Sequence, residues 1–368
     1  MWLHPGFLLP GWTRVRFLSY LLPPVLILVF VLGSLFNGLS LWIFCFHNKS
    51  WKASTVWLFN LALADFLLMV CLPFRTDYYL RHKHWQYGDI PCRLVLFVLS
   101  MSRSGSIFFL TLVATDRYFR VVHPHHRINS VSTMCAAGIA CVVWLITIAG
   151  SVFILTKRRE FSGGSEGLLA CESFAICLDY SEKQHDYIYL VQFFVPLATV
   201  AFCSCRVILR LRQRNLDRHA KIKRAVQCMV LVGMAFCFCF LPSVSTRIEM
   251  LRLLDSPQWQ DCNIYRGADT AFYISICLTY MNSMCNPLLY YFSSPSFQAF
   301  YLKIAKSLAR SPNKWTLLPC AGSDWTRKAP GKNLLPPPGM HPGLQMCSTS
   351  PHLCGHKCVH GVRVLALE

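Results

Sequence analysis

The sequence predicts an all-α membrane protein: a bundle of seven transmembrane helices followed by a short amphipathic helix on the membrane surface. Of its 368 residues, 54% are hydrophobic and only 14% are charged, against about 25% charged in a soluble domain. Seven apolar runs are long enough to cross a bilayer, whose hydrocarbon core takes about 20 apolar residues. Their approximate ranges are 22–46, 55–80, 92–121, 134–155, 186–209, 224–248 and 267–292.

The links between these runs predict the orientation. The links after the first and third runs carry Lys49, Lys52, Arg120 and Arg127. The link between the fifth and sixth, RLRQRNLDRHAKIKRA, holds one acid among many bases, whereas 157–186 is balanced. Lysine and arginine collect in cytoplasmic loops, so residues 1–21 are expected outside and the C-terminus inside, with 22–292 as the membrane domain. The net charge of +19 is explained by these links and does not predict nucleic-acid binding.

Two further segments follow the last run. Residues 294–310 predict an amphipathic helix on the inner leaflet. Its apolar face holds Phe297, Phe300, Tyr301 and Ile304, and its basic face holds Lys303, Lys306 and Arg310. Residues 311–368 are rich in proline, glycine and small polar residues and are expected to be disordered. Cysteines and histidines in this tail leave a metal-binding tract as a less favoured alternative.

The pattern of polar residues does not predict an enzyme. The chain has no pair of catalytic carboxylates, no metal motif in a rigid segment and no activated nucleophile. No internal repeat is visible, which speaks against a secondary transporter. A carboxylate transporter with a buried arginine nevertheless remains an alternative, and it would show substrate flux.

Arg103 stands in the middle of the third apolar run. A charge at mid-membrane costs about 2.5–3.5 kcal/mol, so such residues face a cavity or a partner. A guanidinium offers a two-pronged match to a carboxylate, which makes Arg103 a candidate ligand anchor. The alternative is an internal ion pair with Asp65, the only acid of the second run that is expected to be buried. Arg75 and Arg247, near the outer ends of the second and sixth runs, would either line a pocket or extend to the membrane surface.

A series of short motifs carries a family resemblance. The motifs are Asn37, Asp65, Asp116-Arg117-Tyr118, Trp144, Pro196, Cys239-Phe240-Leu241-Pro242 and Asn286-Pro287-Leu288-Leu289-Tyr290. In this order, over about 20–310, they resemble the rhodopsin-like (class A) G-protein-coupled receptors. FCFHNKSWKASTVWLFNLALADFLL, YGDIPCR and DRYFRVVHPHH are similar to the hydroxycarboxylic acid receptors. LPFRTDYYLR and CESF are most similar to the lactate-type member, whereas LDRHAKIKRA is more similar to the nicotinate type.

The resemblance implies a plasma-membrane receptor for a small, lactate-like hydroxycarboxylic acid. It also implies coupling to an inhibitory heterotrimeric G protein that lowers cyclic AMP. The implied ligand-binding residues are Arg103, Arg247, Tyr280, Arg75 and Ser173. A receptor for a longer hydroxy or oxo fatty acid is the alternative, under which Arg75 would not contribute. Ser173 is equally well explained as an ordinary loop serine.

Further roles follow from the same resemblance. Asp116, Arg117 and Tyr118 would couple to the G protein, with Arg117 held by Asp116 at rest. An allosteric sodium ion would be bound by Asp65, Ser106, Asn282 and Asn286, whose oxygens suit a small cation. Phe240, Pro242, Pro287 and Tyr290 would form the activation switch, although Phe240 is also explained by plain core packing. Asn286 departs from the subfamily, which usually has aspartate there, and the loss of one acid would weaken sodium binding.

Four of the 19 cysteines fall in the predicted outer loops, where an oxidising exterior makes them disulfide candidates. They are Cys92, Cys171, Cys177 and Cys262. The resemblance implies a bond between Cys92 and Cys171. Related receptors pair the other two with cysteines near the N-terminus, but residues 1–44 contain none. Whether Cys177 and Cys262 bond to each other or stay free is open.

Overall fold

The computed structural model describes residues 11–48, 51–156, 171–172, 183–214, 220–254, 262–294, 297–300, 302–303 and 306. The main helices are α1 (Gly11–Trp42), α2 (Ala53–Leu80), α3 (Asp89–Val122), α4 (Thr133–Ser151), α5 (Lys183–Arg214), α6a (Ala220–Met234), α6b (Leu241–Leu254) and α7 (Cys262–Ser293). Shorter helical segments lie at Ile43–His47, Arg127–Ser130, Phe153–Thr156 and Ala235–Phe240. The chain divides into two units, 1–312 and 313–368, and all described residues belong to the first. The predicted tail, Ser173 and Cys177 lie outside the described residues.

Six helical stretches in the described part of the chain are long and apolar enough to cross a membrane. They are Leu18–His47, Ala53–Leu80, Asp89–Val122, Thr133–Thr156, Asp186–Arg210 and Lys223–Leu253. The seventh predicted span lies on α7, which is helical over its full predicted range but is not among the six. This helix carries buried polar side chains, including Asn282, Ser283 and Asn286, so its composition is less apolar than that of the other six.

The first helix begins earlier than the sequence predicts. The apolar run starts near residue 22, but α1 already begins at Gly11. Arg14 and Arg16 lie before the apolar run, and arginine is a good helix former. Charged residues therefore limit the apolar span without ending the helix.

Helix α3 lies at the centre of the bundle and contacts α2, α4, α5 and α6a. By contrast, only 22% of the most apolar stretch within the fourth span, Thr133–Thr156, is buried. Large side chains such as Met134, Val142 and Leu145 are exposed on α4. An apolar surface of this extent indicates contact with lipid rather than water.

A disulfide bond marks one end of the bundle. Cys92, in the first turn of α3, is bonded to Cys171, and their Cα atoms are 5.8 Å apart. This confirms the pairing implied by the resemblance. We call this the disulfide end, and we call the opposite end, where Asp116 lies close to the C-terminus of α3, the Asp116 end.

The sixth span contains a wide π turn, Ala235–Phe240, between α6a and α6b. Pro242 follows this turn directly. A proline has no N–H to donate, and its ring clashes with the carbonyl group four residues earlier, here that of Phe238. The widened turn is one way for a helix to absorb such a defect, and it ends at the candidate switch residue Phe240.

The described residues beyond α7 agree with the predicted amphipathic helix. Residues 297–300, 302–303 and 306 are helical. Phe297 is fully buried, with its ring 4.7 Å from that of Phe44, and the ring of Phe300 lies 5.9 Å from that of Trp42. Lys303 and Lys306 are exposed. The apolar face of this segment therefore packs on the end of the first span.

Candidate functional site

A small cavity of about 50 Å³ lies in the half of the bundle nearer the disulfide end. It is lined by Arg75, Leu96, Leu99, Ser100, Arg103, Ile154, Tyr189, Phe272, Tyr273, Ile276 and Tyr280. Two guanidinium groups thus share one cavity with three tyrosines. Such a set of donors suits an anion with oxygen atoms to be hydrogen-bonded.

Arg103 projects from α3 into this cavity and is only half-buried. Its guanidinium carbon lies 3.9 Å from the centre of the Tyr189 ring. Within the described part of the chain it forms no hydrogen bond or ion pair. A stacked guanidinium keeps the N–H groups at its edge available. The expected alternative, an ion pair with Asp65, is absent among the described residues.

Arg75 also lines the cavity but is almost completely buried, at 3% exposure. It donates hydrogen bonds to the carbonyl oxygen of Cys171 (2.8 Å) and to the hydroxyl of Tyr79 (3.0 Å). Its guanidinium carbon lies 5.1 Å from the centre of the Tyr78 ring. Its Nε atom is buried without a partner in the described part of the chain. Arg75 therefore anchors Cys171 to α2 and keeps one donor unused.

Arg247 does not line the cavity, unlike the pocket role expected from the sequence. Its Nε and Nη2 atoms both lie 2.7 Å from Oδ1 of Asp186, and the two side chains are each 4% exposed. Its guanidinium is also 6.0 Å from the centre of the Phe272 ring. Asp186 was not singled out from the sequence, although an acid at the very start of an apolar run was a signal for a buried partner.

Tyr280 lies in the cavity wall and is buried at 6% exposure. The predicted loop residue Ser173 is outside the described residues. Its neighbour Glu172 is described, however, and was overlooked in the sequence. The Glu172 carboxylate lies 2.8 Å from Nζ of Lys83 and accepts a hydrogen bond from the Tyr78 hydroxyl at 3.1 Å.

Burial alone would raise the pKa of Glu172, but the adjacent Lys83 outweighs it. The positive charge and hydrogen bond of Lys83 hold the pKa of this carboxyl below its ordinary value of 4.5. Glu172 is therefore ionised at neutral pH. Together with Arg75, which holds the carbonyl of Cys171, the pair fixes the 171–172 segment to α2 and to the loop after it.

Deeper in the bundle, Asp65 joins α2, α3 and α7. Its Oδ1 accepts hydrogen bonds from Ser106 (2.7 Å) and Ser283 (2.8 Å), and its Oδ2 accepts one from Asn286 (2.7 Å). Tyr290 donates to the same Oδ2 at 3.4 Å. Of the four residues expected at a sodium site, three are therefore in one cluster.

Asn282 is the exception in this cluster. Its Nδ2 atom is buried without a partner in the described part of the chain, and the neighbouring Ser283 contacts Asp65 instead. The hydroxyl oxygens of Ser106 and Ser283, with the carboxylate, form a set of hard ligands that fits a small cation if the hydroxyl groups turn their lone pairs inward.

Of the switch residues, Phe240, Pro287 and Tyr290 are buried and Pro242 is half-buried. Phe240 is 1% exposed, and its ring lies 5.7 Å from that of Phe236. Tyr290 is fully buried and donates a hydrogen bond to Asn37 at 3.3 Å as well as to Asp65. Pro287 lies inside α7, one residue after Asn286.

At the Asp116 end, Asp116 binds several neighbours. Its Oδ2 lies 3.4 Å from Nη2 of Arg117 and accepts hydrogen bonds from Ser54 and Arg120, both at 2.9 Å. Nε of Arg117 is buried without a partner among the described residues. The Tyr118 hydroxyl is 3.1 Å from Nε2 of His123. Arg117 thus lies against Asp116 in this conformation.

Comparison with known proteins gives one family match. A family model described as 7 transmembrane receptor (rhodopsin family) matches residues 36–290. These residues include the disulfide-end cavity, the Asp65 cluster and the Asp116 end.

Several curated relatives are similar over most of the chain. Human hydroxycarboxylic acid receptor 3 is 54% identical over 288 residues, which are 78% of this chain and 73% of that receptor. Human hydroxycarboxylic acid receptor 2 is 54% identical over 288 residues, 78% of this chain and 78% of that receptor. Human hydroxycarboxylic acid receptor 1 is 50% identical over 288 residues, 78% of this chain and 81% of that receptor.

Proposed function

The chain belongs to the rhodopsin family of seven-transmembrane receptors, and from this premise we propose that its ligand is a small hydroxycarboxylic acid. The relatives named above are hydroxycarboxylic acid receptors. Membership of the family makes the protein a membrane receptor with a ligand and a G-protein partner rather than an enzyme. It also disfavours the transporter alternative, because the similarity extends through the Asp116 end.

One observation carries the proposal. Arg103 presents a guanidinium to the cavity and has no acidic partner within the described part of the chain. A cation at membrane depth is costly unless it is compensated, and a ligand carboxylate is the group that would compensate it bidentately. Tyr280 and Arg75 lie in the same wall and would add hydrogen bonds to the acid or to its hydroxyl group.

The size of the cavity favours a short acid. It holds about 50 Å³, whereas pockets for drug-sized ligands hold roughly 300–1,000 Å³. A lactate-like acid would fit with little rearrangement, while a long fatty acid would require side chains to move apart. Overall identity is slightly higher to receptors 2 and 3, at 54%, than to receptor 1, at 50%, so it does not single out receptor 1.

We further propose that the receptor resides in the plasma membrane with its disulfide end outside and its Asp116 end in the cytoplasm. The basic links at the Asp116 end support this orientation. Asp116, Arg117 and Tyr118 would then meet an inhibitory G protein, and activation would lower cyclic AMP. In the same proposal, Phe240, Pro242, Pro287 and Tyr290 take part in the conformational change, and the Asp65 cluster binds sodium when the receptor is at rest.

The test is a cyclic AMP inhibition assay in cells expressing the full chain, with and without pertussis toxin. The acids are lactate, 3-hydroxybutyrate, nicotinate, 3-hydroxyoctanoate and a long-chain oxo acid. We expect a toxin-sensitive response to the shortest hydroxy acids. Arg103→Ala should abolish it at equal surface expression, while Arg252→Ala, which changes an exposed arginine at the same end, should not. Potency that rises steadily with chain length, or an unaltered Arg103→Ala response, would refute the proposal.

A further inference from the structure

A single tyrosine, Tyr189 on α5, contacts both the candidate ligand anchor and the helix that follows Phe240. Its ring lies under the guanidinium of Arg103, with 3.9 Å between the guanidinium carbon and the ring centre. Its hydroxyl donates a hydrogen bond to the hydroxyl of Ser243 on α6b at 3.1 Å. Tyr189 is 3% exposed and Ser243 is fully buried, so water does not compete for the hydrogen bond between them.

Ser243 passes the connection on to the wide turn. Its hydroxyl donates to the carbonyl oxygen of Phe240 at 2.8 Å. Phe240 is the last residue of the π turn Ala235–Phe240. The cavity cation and the backbone of the wide turn are thus joined by three consecutive contacts through two side chains.

The surroundings make this connection specific. Asp186 precedes Tyr189 by three residues on α5, and Arg247 follows Ser243 by four on α6b, so each pair shares a helix face. The Asp186–Arg247 ion pair, at 2.7 Å, is therefore a second tie along the same seam. It does not line the cavity, whereas Tyr189 does. Of these two ties, the one through Tyr189 is the one in direct contact with the ligand anchor.

We propose that Tyr189 is the residue that couples occupation of the acid site to movement of α6b, with its ring positioning Arg103 and its hydroxyl holding Ser243. This inference rests on the proposed function. An acid that engages the edge N–H groups of Arg103 pulls on the guanidinium and so alters its position over the ring, because one group makes both interactions. A shift of the ring moves the hydroxyl out of reach of Ser243, since a hydrogen bond weakens steeply with distance and angle.

The two functions of Tyr189 can be separated by substitution. Tyr189→Phe keeps the ring and removes the hydroxyl, and Ser243→Ala removes the acceptor. The bond exists in the conformation in which Arg117 lies against Asp116. Its loss should therefore raise basal signalling, measured as cyclic AMP inhibition in acid-free medium at equal surface expression. We expect a rise on the order of two- to tenfold, the range for one hydrogen bond.

A double-mutant cycle identifies the bond itself. Tyr189→Phe and Ser243→Ala each remove the same hydrogen bond. The double variant should therefore signal no more strongly than the stronger of the two single variants. Tyr189→Leu, which also removes the ring, should in addition lower the potency of lactate or 3-hydroxybutyrate at least tenfold. Tyr187→Phe is the matched control, since Tyr187 lies on the same helix and is 63% exposed; it should change neither quantity.

Two results would overturn the proposal. One is basal signalling that is unchanged or reduced in both Tyr189→Phe and Ser243→Ala. The other is a double variant whose effect equals the product of the single effects. If Tyr189→Phe fails to reach the surface, Ser243→Ala compared with Tyr187→Phe gives the same test. Absence of any response to acids would refute the proposed ligand, while the basal measurements would still decide whether the tie controls α6b.

Discussion

Arg247 forms a buried ion pair with Asp186, with Nη2 and Oδ1 2.7 Å apart and both side chains 4% exposed. Removing one partner of such a pair leaves an uncompensated buried charge and costs about 3–5 kcal/mol. We therefore expect Arg247→Ala to lower the apparent melting temperature of the purified receptor strongly. The double variant with Asp186→Ala should recover part of the loss.

The exposed pair Arg252 and Glu249 on the same helix is the control for this measurement. Their side chains are 76% and 47% exposed and lie 3.8 Å apart, and surface pairs contribute little to stability. Arg252→Ala should leave the melting temperature nearly unchanged. Equal losses for both arginines would mean that burial of the Asp186 pair has no energetic consequence.

Arg75→Lys tests the anchor on Cys171. Lysine keeps the charge but cannot reproduce the fork that reaches both the Cys171 carbonyl and the Tyr79 hydroxyl, because an ammonium group is a point charge. We expect the acid response to lose at least about tenfold in potency, because one charge-assisted hydrogen bond is worth about 1.5–3 kcal/mol. Concentration–response curves measure this, with Arg81→Lys, at an exposed position, as the control. Full potency in Arg75→Lys would show that charge alone suffices.

The Glu172–Lys83 pair should be insensitive to pH across the physiological range. The pKa of Glu172 is held below the ordinary 4.5 by Lys83, so the stabilising contribution of the pair is fully present above that value. It is lost only as pH falls through the lowered folded-state pKa. The melting-temperature difference between the wild type and Glu172→Gln should be constant from pH 8 to about pH 5 and shrink below about pH 4.5. A difference that already vanishes at pH 6 would contradict the low pKa.

Asn286 is an uncharged residue in direct contact with Asp65, since it donates to Oδ2 of Asp65 at 2.7 Å. Asn286→Asp adds a second carboxylate, which strengthens binding of a hard cation. We expect basal signalling of this variant to fall when sodium replaces N-methylglucamine in membrane assays, by more than in the wild type. Asp65→Asn should remove the sodium effect altogether. A sodium effect that persists in Asp65→Asn would place the ion elsewhere.

Charged side chains within apolar runs are the site residues that are easiest to predict from the sequence. Arg103 is conspicuous because an arginine at mid-span is costly wherever the helix points, and the structure places it in a cavity. Arg247 was expected in the pocket from its place near the outer end of the sixth run, but it does not line this cavity. Its partner Asp186 is 61 residues away along the chain, and no local pattern reveals a pair formed between two helices.

The choice between Asn282 and Ser283 shows a second limit. Neighbouring residues differ by about 100° around an α-helix, so a small rotation decides which of the two faces Asp65. Pro287 follows four residues after Ser283 and alters the local geometry of α7. Residue type suggested a polar cluster with Asp65, but the rotation of a proline-containing helix is set by packing. The structure selects Ser283.

The wide turn at Ala235–Phe240 also sets how far α6a is rotated about the helix axis relative to α6b. A π turn holds about one residue more than an α turn of the same rise, and each residue of an α-helix turns the chain by about 100° and advances it by about 1.5 Å. Tightening this segment into regular α-helix would rotate α6a against α6b by up to that angle. The Cys228 thiol, now 3.0 Å from the Ser293 hydroxyl, would then face away from α7. A rotation equal to that of one helical residue, made at the middle of the sixth span, is thus enough for α6a to present a different face to a partner.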